Sequence, residues 1–306
     1  MIEYWQLKQR HSLPLEAKIN MSKARIREWY DGNDGLVYVS FSGGKDSTVL
    51  RHLVKSIYPD VPDVFMDTGL EFPEIREFVK LTEGVIWLKP EMSFKRVIET
   101  LGYPVISKET ARKIKDLQNP TERNQMTLDI RMGLTNSKHG YCPKKWLFLK
   151  DAPFKVSDRC CDILKKNPAK RYERESKRVP MLGNMADEGR YRLWFYQTNG
   201  CNAFGKKRPL STPIAFWQSK DVWEYIKRFN VPYSKIYDMG YKRTGCVFCM
   251  FGVHLNAPNH FQRLAATHPK LWDYCINSLG CGKVMDYIGV DYHPTLQSLQ
   301  LNLWEE

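Results

Sequence analysis

Apolar and polar positions alternate in blocks whose period changes along the first hundred residues. The apolar, β-branched run at residues 36–41 predicts a strand, and residues 61–66 and 85–88 predict two more. The intervening segments 72–81 and 93–101 have the pattern of amphipathic helices. Strands joined by helices of this length make right-handed crossovers. The pattern therefore predicts an α/β fold, with a Rossmann-like parallel sheet covered by helices on both faces.

The same pattern divides the chain into three predicted parts. These are an N-terminal helical arm at residues 1–34, a nucleotide-binding domain at 35–235, and a mainly helical, cysteine-bearing C-terminal segment at 236–306. The apolar positions of the arm are Leu15, Ile19, Ala24, Ile26 and Trp29. Within the domain the periodicity fades between about residues 118 and 159, which predicts an irregular insertion, and residues 179–182 predict a further strand.

Composition adds information about the partner. The chain of 306 residues is 42% hydrophobic, enough for a packed core, and has a formal net charge of +13. Such an excess of Lys and Arg attracts anions, and a nucleic acid and a small nucleotide fit it equally well. The N-terminus lacks the apolar core of a signal peptide, and no stretch approaches the ~18 apolar residues of a membrane span. We therefore expect a cytoplasmic protein without a membrane partner.

The stretch Ser-Gly-Gly-Lys-Asp-Ser at residues 42–47, here called the phosphate loop, is the strongest chemical signal. It joins the first predicted strand to an amphipathic helix, and its glycines let backbone amides approach a phosphate at the helix N-terminus. Ser42 and Ser47 supply hydroxyl donors, and Lys45 supplies charge. Asp46 is placed to hold Mg²⁺ or to cap the helix. A turn without any ligand is the alternative, but we expect a nucleoside triphosphate.

Two common phosphate-binding patterns, G-x-x-x-x-G-K-[ST] and G-x-G-x-x-G, do not fit these residues. All six positions match the S-G-G-x-D-S pattern, so the stretch resembles the PP-loop of the ATP pyrophosphatases. That resemblance implies ATP, cleaved between its α and β phosphates in the presence of Mg²⁺, and catalytic roles for Lys45, Asp46 and Ser47. The residues expected to bind ATP are Ser40, Phe41, Ser42, Gly43, Gly44, Lys45, Asp46, Ser47, Asp67, Thr68 and Gly69.

Eight cysteines in a chain expected to be cytoplasmic indicate metal or sulfur chemistry rather than disulfides. Cys160 and Cys161 are adjacent, and Cys246 and Cys249 form a C-x-x-C pair. Four thiolates hold either a zinc ion or a [4Fe–4S] cluster. Adjacent cysteines favour the cluster, because zinc sites usually draw on C-x₂₋₄-C spacings. Buried cysteines without a ligand are the third alternative.

The phosphate loop, the adjacent cysteines and the later C-x-x-C together resemble the phosphoadenosine-phosphosulfate (PAPS) and adenosine-phosphosulfate (APS) reductase family and its DNA-sulfur-modifying relatives. The resemblance covers about residues 35–252 and implies that the four cysteines hold a [4Fe–4S] cluster, completed by the C-terminal segment. The Asp-Thr-Gly stretch within residues 66–74 and stretches between 220 and 246 resemble the same family. The chain lacks the Glu-Cys-Gly-[Ile/Leu]-His tail of the assimilatory reductases, and its 183–192 segment contains two acidic residues. Sulfate reduction is therefore not the favoured activity.

The favoured hypothesis is an ATP pyrophosphatase that adenylates an acceptor for sulfur insertion, similar to the ATP-pyrophosphatase component of DNA phosphorothioation systems. We expect nucleic acid as the partner, with DNA preferred to tRNA, a sulfur donor such as a cysteine desulfurase, and a homodimer. Three alternatives stay open. They are a PAPS or APS reductase, a tRNA-thiolating enzyme, and a non-catalytic, ATP-sensing iron–sulfur protein that binds nucleic acid.

Two further features are ambiguous. Cys142, in a basic loop expected to lower its pKa, and Cys201 are candidate persulfide carriers, although an ordinary cysteine is preferred at both positions. Aromatic residues and arginines alternate near Tyr191 and Tyr196. The preferred interpretation is that these aromatic residues form the buried side of a strand, and the alternative is that they stack on unpaired bases. A structural role is likewise preferred for His254 over an approach to the cluster.

Overall fold

The computed structural model describes residues 2–295. The strands in this part of the chain are β1 (Val37–Ser40), β2 (Asp63–Met66), β3 (Val85–Leu88), β4 (Val105–Ile106), β5 (Val179–Leu182), β6 (Asn202–Ala203), β7 (Leu210–Ser211) and β8 (Met250–Phe251). Six of them form a sheet of order β3-β2-β1-β5-β7-β6. All neighbours in this sheet are parallel except β6 and β7. A mostly parallel sheet with intervening helices confirms the predicted α/β fold.

Helices occupy most of the connections. The α-helices are α1 (Tyr4–His11), α2 (Leu15–Asp31), α3 (Lys45–Lys55), α4 (Pro73–Leu81), α5 (Phe94–Leu101), α6 (Lys108–Gln118), α7 (Gln125–Met132), α8 (Asn167–Ser176), α9 (Arg190–Asn199), α10 (Ser219–Arg228), α11 (His260–Thr267), α12 (Pro269–Asp273) and α13 (Cys281–Tyr287). Short π-helices occupy Asp162–Lys166 and Tyr274–Ser278, and 3₁₀ helices occupy Glu122–Asn124, Lys144–Asp151, Ala186–Glu188, Lys235–Tyr237 and Val253–Leu255. No helix among residues 2–295 has both the length and the apolar character that crossing a bilayer requires.

The chain forms two compact units, each assembled from separated stretches. Within the described residues, the first unit comprises 2–67, 72–89 and 168–244, and the second comprises 68–71, 90–167 and 245–295. The predicted parts, with boundaries after residues 34 and 235, are continuous stretches of the chain. Each observed unit instead combines three stretches that are separated in the sequence. The reason is topological, because β5 returns to pair with β1 after the 90–167 stretch has left the sheet.

The first unit has its core around β1 and α3. Val37, Tyr38 and Val39 are fully buried in β1, which lies between β2 and β5 in the middle of the sheet. Helix α3 packs against β1 and also against α2 and α10. A buried ion pair joins these last two helices, because the Lys18 ammonium of α2 lies 2.7 Å from the Asp221 carboxylate of α10. This packing fixes the start of α3, where the phosphate loop ends.

The second unit contains the short parallel pair β4 and β8 and most of the remaining helices. Helix α6 packs against the 3₁₀ helix Lys144–Asp151, and α12 and α13 both pack against the π-helix Tyr274–Ser278. The predicted irregular insertion contains α7 and two 3₁₀ helices, so much of it is helical. Its weak periodicity has a physical origin, because short helices bury few residues and Leu128 is the buried residue of α7.

The structure corrects two details of the predicted elements. The second strand begins at Asp63 rather than at residue 61, because Pro62 has no backbone N–H to donate to a neighbouring strand. The aromatic stretch 191–196 was predicted as strand core, and this is wrong. It lies in α9, where Tyr191 and Trp194 are exposed and only Tyr196 is fully buried.

Candidate active site

The phosphate loop closes on itself through its own hydroxyl groups. The Ser47 hydroxyl donates to the Gly44 carbonyl oxygen at 2.9 Å and accepts from the Ser42 backbone amide at 3.1 Å. The hydroxyl oxygens of Ser42 and Ser47 are 3.0 Å apart. Gly44 is the N-cap of α3 and has an extended backbone. The loop is therefore held at the N-terminus of a helix, where free amides and the helix dipole favour an anion.

Two glycines permit this geometry. Gly43 has φ +72°, a conformation that residues with a Cβ rarely adopt, and a Cβ there would lie 2.8 Å from a methyl carbon of Val79. Gly183 follows β5, and a Cβ on it would lie 2.8 Å from backbone atoms of Asp46 and Ser47. The residue that follows β5 therefore lies very close to the backbone at the start of α3. Ligands of open parallel sheets bind at this carboxyl edge of the sheet.

Lys45 is buried and turns toward its neighbour in sequence. Its ammonium lies 2.7 Å from the Asp46 carboxylate. Its backbone amide donates to the hydroxyl oxygen of Tyr237 at 2.8 Å. Burial raises the pKa of the Tyr237 hydroxyl, which therefore stays protonated at neutral pH. Lys45 accordingly fixes the orientation of Asp46 and supplies positive charge beneath the loop.

A cavity of about 200 Å³, here called the polar cavity, opens beside the loop. It is lined by Ser40, Ser42, Gly44, Asp46, Ser47, Leu182, Gly183, Asn184, Glu188, Arg192, Arg243 and Thr244. Glu188 accepts from Arg192 and, at 3.3 Å, from Arg243. Burial, followed by the charge of Arg243, lowers the pKa of Arg192. The two guanidinium groups offset the carboxylates of Glu188 and Asp46, which line the same cavity, and guanidinium N–H groups are good donors to phosphate oxygens.

Five of the residues predicted to bind ATP line the polar cavity: Ser40, Ser42, Gly44, Asp46 and Ser47. Three others in the same stretch are placed elsewhere. Phe41 is buried against Phe78, Gly43 packs on α4, and Lys45 pairs with Asp46.

The predicted Asp-Thr-Gly residues are engaged locally. Asp67 is buried and lies 2.9 Å from a guanidinium nitrogen of Arg76. Thr68 donates its hydroxyl to Glu71 at 2.6 Å, and Gly69 has φ +74° in the same turn. Thr68 and Gly69 belong to the second unit, whereas the polar cavity is lined by residues of the first.

A second cavity, here called the aromatic cavity, adjoins the polar cavity in the first unit. Its volume is about 250 Å³. It is lined by Leu182, Asn184, Met185, Ala186, Tyr191, Arg192, Phe195, Tyr196, Leu210, Thr212 and Ala215. Leu182, Asn184 and Arg192 line both cavities. The pattern of alternating arginines and aromatics at 190–196 was the available signal in the sequence, but its helical periodicity was missed.

The four predicted metal ligands, Cys160, Cys161, Cys246 and Cys249, gather in the second unit. Burial raises the pKa of the Cys160 thiol, and the charges of the other three thiols raise it further. Burial likewise raises the pKa of Cys249, to about 12. Among residues 2–295, no group of three or more His, Cys, Asp or Glu side chains is arranged to hold a single metal ion. The four thiols are here called the cysteine cluster, and positive charge bound among them would offset their mutual repulsion when they are ionised.

Lys165, in the π-helix that follows the adjacent cysteines, is the cation of this region. Its ammonium is hydrogen-bonded to Cys246. Burial alone would lower the pKa of Lys165, but the charges of Cys246 and Glu71 outweigh this effect and raise it. Sequence patterns do not single out Lys165, because its hydrogen bond to Cys246 joins two stretches that are far apart in the chain.

The other cysteines do not have the environment of an exposed thiolate. Cys142 was predicted to have a lowered pKa, and this is wrong, because burial outweighs Lys113 and Arg131 and raises it. Burial also raises the pKa of Cys201, to about 12. His254 packs edge-on against Trp146, with 5.1 Å between the ring centroids, and burial lowers its pKa. These positions show no sign of a sulfur carrier.

The fold and the loop define a class, namely α/β proteins with a Ser-Gly-Gly phosphate loop at the carboxyl edge of a mostly parallel sheet. The sequence profile of the phosphoadenosine phosphosulfate reductase domain matches residues 36–95 and 85–251. The chain belongs to this family, as the resemblance in the sequence implied.

An uncharacterised protein of Methanocaldococcus jannaschii is 26% identical over 260 residues, which are 83% of this chain and 51% of that protein. The chain thus spans about half the length of this relative. An adenosine 5'-phosphosulfate reductase of Anoxybacillus flavithermus is 25% identical over 249 residues, 81% of this chain and 86% of the reductase. The phosphoadenylyl-sulfate reductase of Candida auris, solved as a phosphate complex, is 16% identical with a TM-score of 0.45, covering 80% of this chain and 96% of that one.

Proposed function

We propose that this protein is an ATP pyrophosphatase that adenylates a nucleic-acid acceptor for sulfur insertion, with a DNA phosphate as the acceptor. The observation that carries the proposal is the phosphate loop, whose hydroxyls and helix N-terminus border a polar cavity that Arg192 and Arg243 also line. Membership of a family named for sulfonucleotide chemistry supports a sulfur-related reaction on a nucleotide.

ATP would bind with its β and γ phosphates at the loop. The hydroxyls of Ser42 and Ser47 would donate to phosphate oxygens, and Arg192 and Arg243 would neutralise charge across the cavity. The carboxylate of Asp46 would hold Mg²⁺, oriented by the Lys45 ammonium. Positioning and charge neutralisation dominate phosphoryl transfer, so this set needs no side chain acting as a base.

The first step joins the acceptor to AMP. A phosphate oxygen of the acceptor forms a bond to the α phosphorus of ATP, while the bond from that phosphorus to the oxygen bridging to the β phosphate breaks. Pyrophosphate leaves with the bonding electron pair. The guanidinium groups of Arg192 and Arg243, with Mg²⁺ when it is bound, would stabilise the negative charge that develops on this leaving group.

The second step replaces AMP by sulfur. Where a cysteine desulfurase is the donor, a thiol reductant first releases hydrosulfide from its persulfide and is itself oxidised to a disulfide. The hydrosulfide ion then forms a bond to the activated acceptor phosphorus, and AMP leaves with the electron pair of the broken bond. No atom changes its oxidation state in this exchange. Cys160, Cys161, Cys246 and Cys249 would hold the [4Fe–4S] cluster, which when bound would relay sulfur or electrons, or brace the second unit. A homodimer stays a prediction.

The test is the conversion of ATP to AMP and pyrophosphate by the anaerobically purified chain, with and without DNA. The Ser42→Ala, Lys45→Ala double variant should lose this activity at least a hundredfold. Lys55→Ala with Ser56→Ala provides a matched control, because it removes the same two residue types from the opposite end of α3. Full activity in the loop variant would refute the proposal.

The products separate the remaining alternatives. Sulfur recovered in DNA by mass analysis supports phosphorothioation, whereas sulfur recovered only in tRNA supports the tRNA-thiolating enzyme. ATP binding without any pyrophosphate supports the non-catalytic sensor.

A reductase is the second candidate, and a specific observation favours it. The two acidic residues of the 183–192 segment count less against an anionic sulfonucleotide than the sequence implied, because Glu188 is paired with Arg192 and Arg243. The 25% identity to an adenosine 5'-phosphosulfate reductase over 86% of that enzyme also supports it. Release of sulfite from adenosine 5'-phosphosulfate with a thiol donor would establish this activity in place of sulfur insertion.

A further inference from the structure

The aromatic cavity lies where the acceptor must enter, if the proposed function holds. The acceptor oxygen has to reach the α phosphate in the polar cavity, and the aromatic cavity shares Leu182, Asn184 and Arg192 with it. Cavities of about 150 Å³ accept a benzene ring. A volume of about 250 Å³ is therefore sufficient for a larger flat ring system.

The walls of the aromatic cavity are suited to a nucleobase. Tyr191 and Phe195 come from successive turns of α9, and Tyr196 is held in place by a hydrogen bond from Arg10 to its hydroxyl. These rings provide stacking surfaces on one side of the aromatic cavity. Asn184 and Thr212 add polar groups, and a side-chain amide supplies both the donor and the acceptor that the edge of a base requires.

Aromatic surface continues outside the cavity. Tyr191 is 72% exposed and Trp194 is 54% exposed, and their ring centroids are 5.6 Å apart. The two rings lie side by side on one helix and form an exposed aromatic patch next to the cavity. Arg190 and Arg243, both exposed, add positive charge of the sign that a phosphate backbone requires.

We propose that α9 and the aromatic cavity bind an unpaired base of the acceptor strand, with Tyr191 stacked on that base and Trp194 stacked on its neighbour. The nucleotide to be modified would then present its phosphate to the polar cavity. The inference rests on the proposed function and makes it more specific, because it requires an acceptor that is single-stranded or locally unpaired.

A strand explains these features better than the adenine of ATP does. One mononucleotide fills one cavity and leaves the exposed Trp194 ring uncovered, whereas successive bases use both rings. Base stacking on aromatic side chains also tolerates any sequence, because every base has a π face. DNA and RNA share this chemistry, so the experiment has an arm for each.

The experiment measures equilibrium binding of fluorescently labelled twelve-nucleotide strands of single-stranded DNA and RNA to the full chain, in the absence of ATP. Tyr191→Ala and Trp194→Ala should each weaken binding tenfold or more, whereas Tyr191→Phe should bind as the unchanged protein does, because it keeps the ring. Trp5→Ala is the matched control, since Trp5 is 63% exposed in α1 and should not affect binding. Thermal melting of each variant checks that it is folded.

Three results would overturn the inference. The first is that Tyr191→Ala binds the strands as tightly as the unchanged protein does, and the second is that the protein binds the corresponding duplex more tightly than the single strand. The third is that Tyr191→Ala loses as much affinity for ATP as it loses for the strand. The last result would assign adenine to the cavity. The proposed function is tested separately by pyrophosphate release. A chain that binds strands through Tyr191 but never cleaves ATP would refute the function and leave the strand site intact.

Discussion

The phosphate loop forms most of its hydrogen bonds among consecutive residues, whereas the cysteine cluster draws on two stretches that are far apart in the chain. In the loop, the Ser47 hydroxyl bonds to Gly44 and Ser42, and Tyr237 adds one contact from a distant part of the chain by accepting from the Lys45 amide. In the cluster, burial and the neighbouring thiols raise the pKa of Cys160, and the positive charge of Lys165 acts in the opposite direction.

The difference is one of preorganisation. Hydrogen bonds of the Ser47 hydroxyl hold the loop in shape, so an anion can bind at the helix N-terminus without rearrangement. The pKa values of Cys160, Cys246 and Cys249 are raised chiefly by desolvation, so positive charge that binds at the cysteine cluster would stabilise their thiolates. We therefore expect the phosphate loop of the first unit to keep its conformation without a ligand. The conformation of the cysteine cluster in the second unit should depend on the group that binds there.

The largest expected effect is the loss of iron from the cysteine cluster. Cys249→Ser should abolish bound iron and visible absorption after anaerobic purification, because a hydroxyl replaces one of four thiolate ligands. Metal analysis measures this. Cys201→Ser, which removes a buried thiol of the first unit, should leave the iron content unchanged. Full iron in the Cys249→Ser variant would show that other ligands hold it.

The next effect concerns the support beneath the phosphate loop. Lys18→Met leaves the Asp221 carboxylate buried without its partner and should cost about 3–5 kcal/mol in the free energy of unfolding. Urea titration measures it. Lys95→Met is the control, because the Lys95 to Glu99 pair is exposed and 3.9 Å apart and should contribute at most ~1 kcal/mol. Similar losses of unfolding free energy in both variants would contradict a stabilising role for the buried Lys18–Asp221 pair.

A smaller loss is expected where β5 meets the phosphate loop. Gly183→Ala brings a Cβ to 2.8 Å from backbone atoms of Asp46 and Ser47. The overpacking should cost about 1–3 kcal/mol and weaken ATP binding by displacing the loop. Calorimetry measures both quantities. Gly189→Ala is the control, because a Cβ at that position meets nothing within 4 Å. An unchanged ATP affinity in Gly183→Ala would show that the loop does not bind the phosphates.

The smallest effect is kinetic. Burial raises the pKa of Cys201 to about 12, so its thiol is protonated at pH 8 and should react with iodoacetamide far more slowly than in urea. The native rate should rise as the pH increases toward the raised pKa, because only the thiolate reacts. Mass spectrometry of the alkylated peptide measures the rate. Fast labelling of the native protein at pH 8 would restore Cys201 as a persulfide carrier.

The sequence by itself determined the features that depend on neighbouring residues. Apolar runs predicted β1 and β3, and the six-residue match at 42–47 predicted a phosphate loop between a strand and a helix, because turn geometry and helix starts are set locally. The spacing of the cysteines, together with the family resemblance, identified the residues that gather in the second unit.

Only the tertiary structure decided what surrounds these elements. It placed Lys45 against Asp46 rather than in the polar cavity, and it set Arg243 opposite Glu188. It also buried Cys201 and exposed Trp194. Burial and pairing between distant residues depend on how strands and helices pack. The sequence shows that a side chain is charged, but it does not show whether the charged group contacts water, an anion or another side chain.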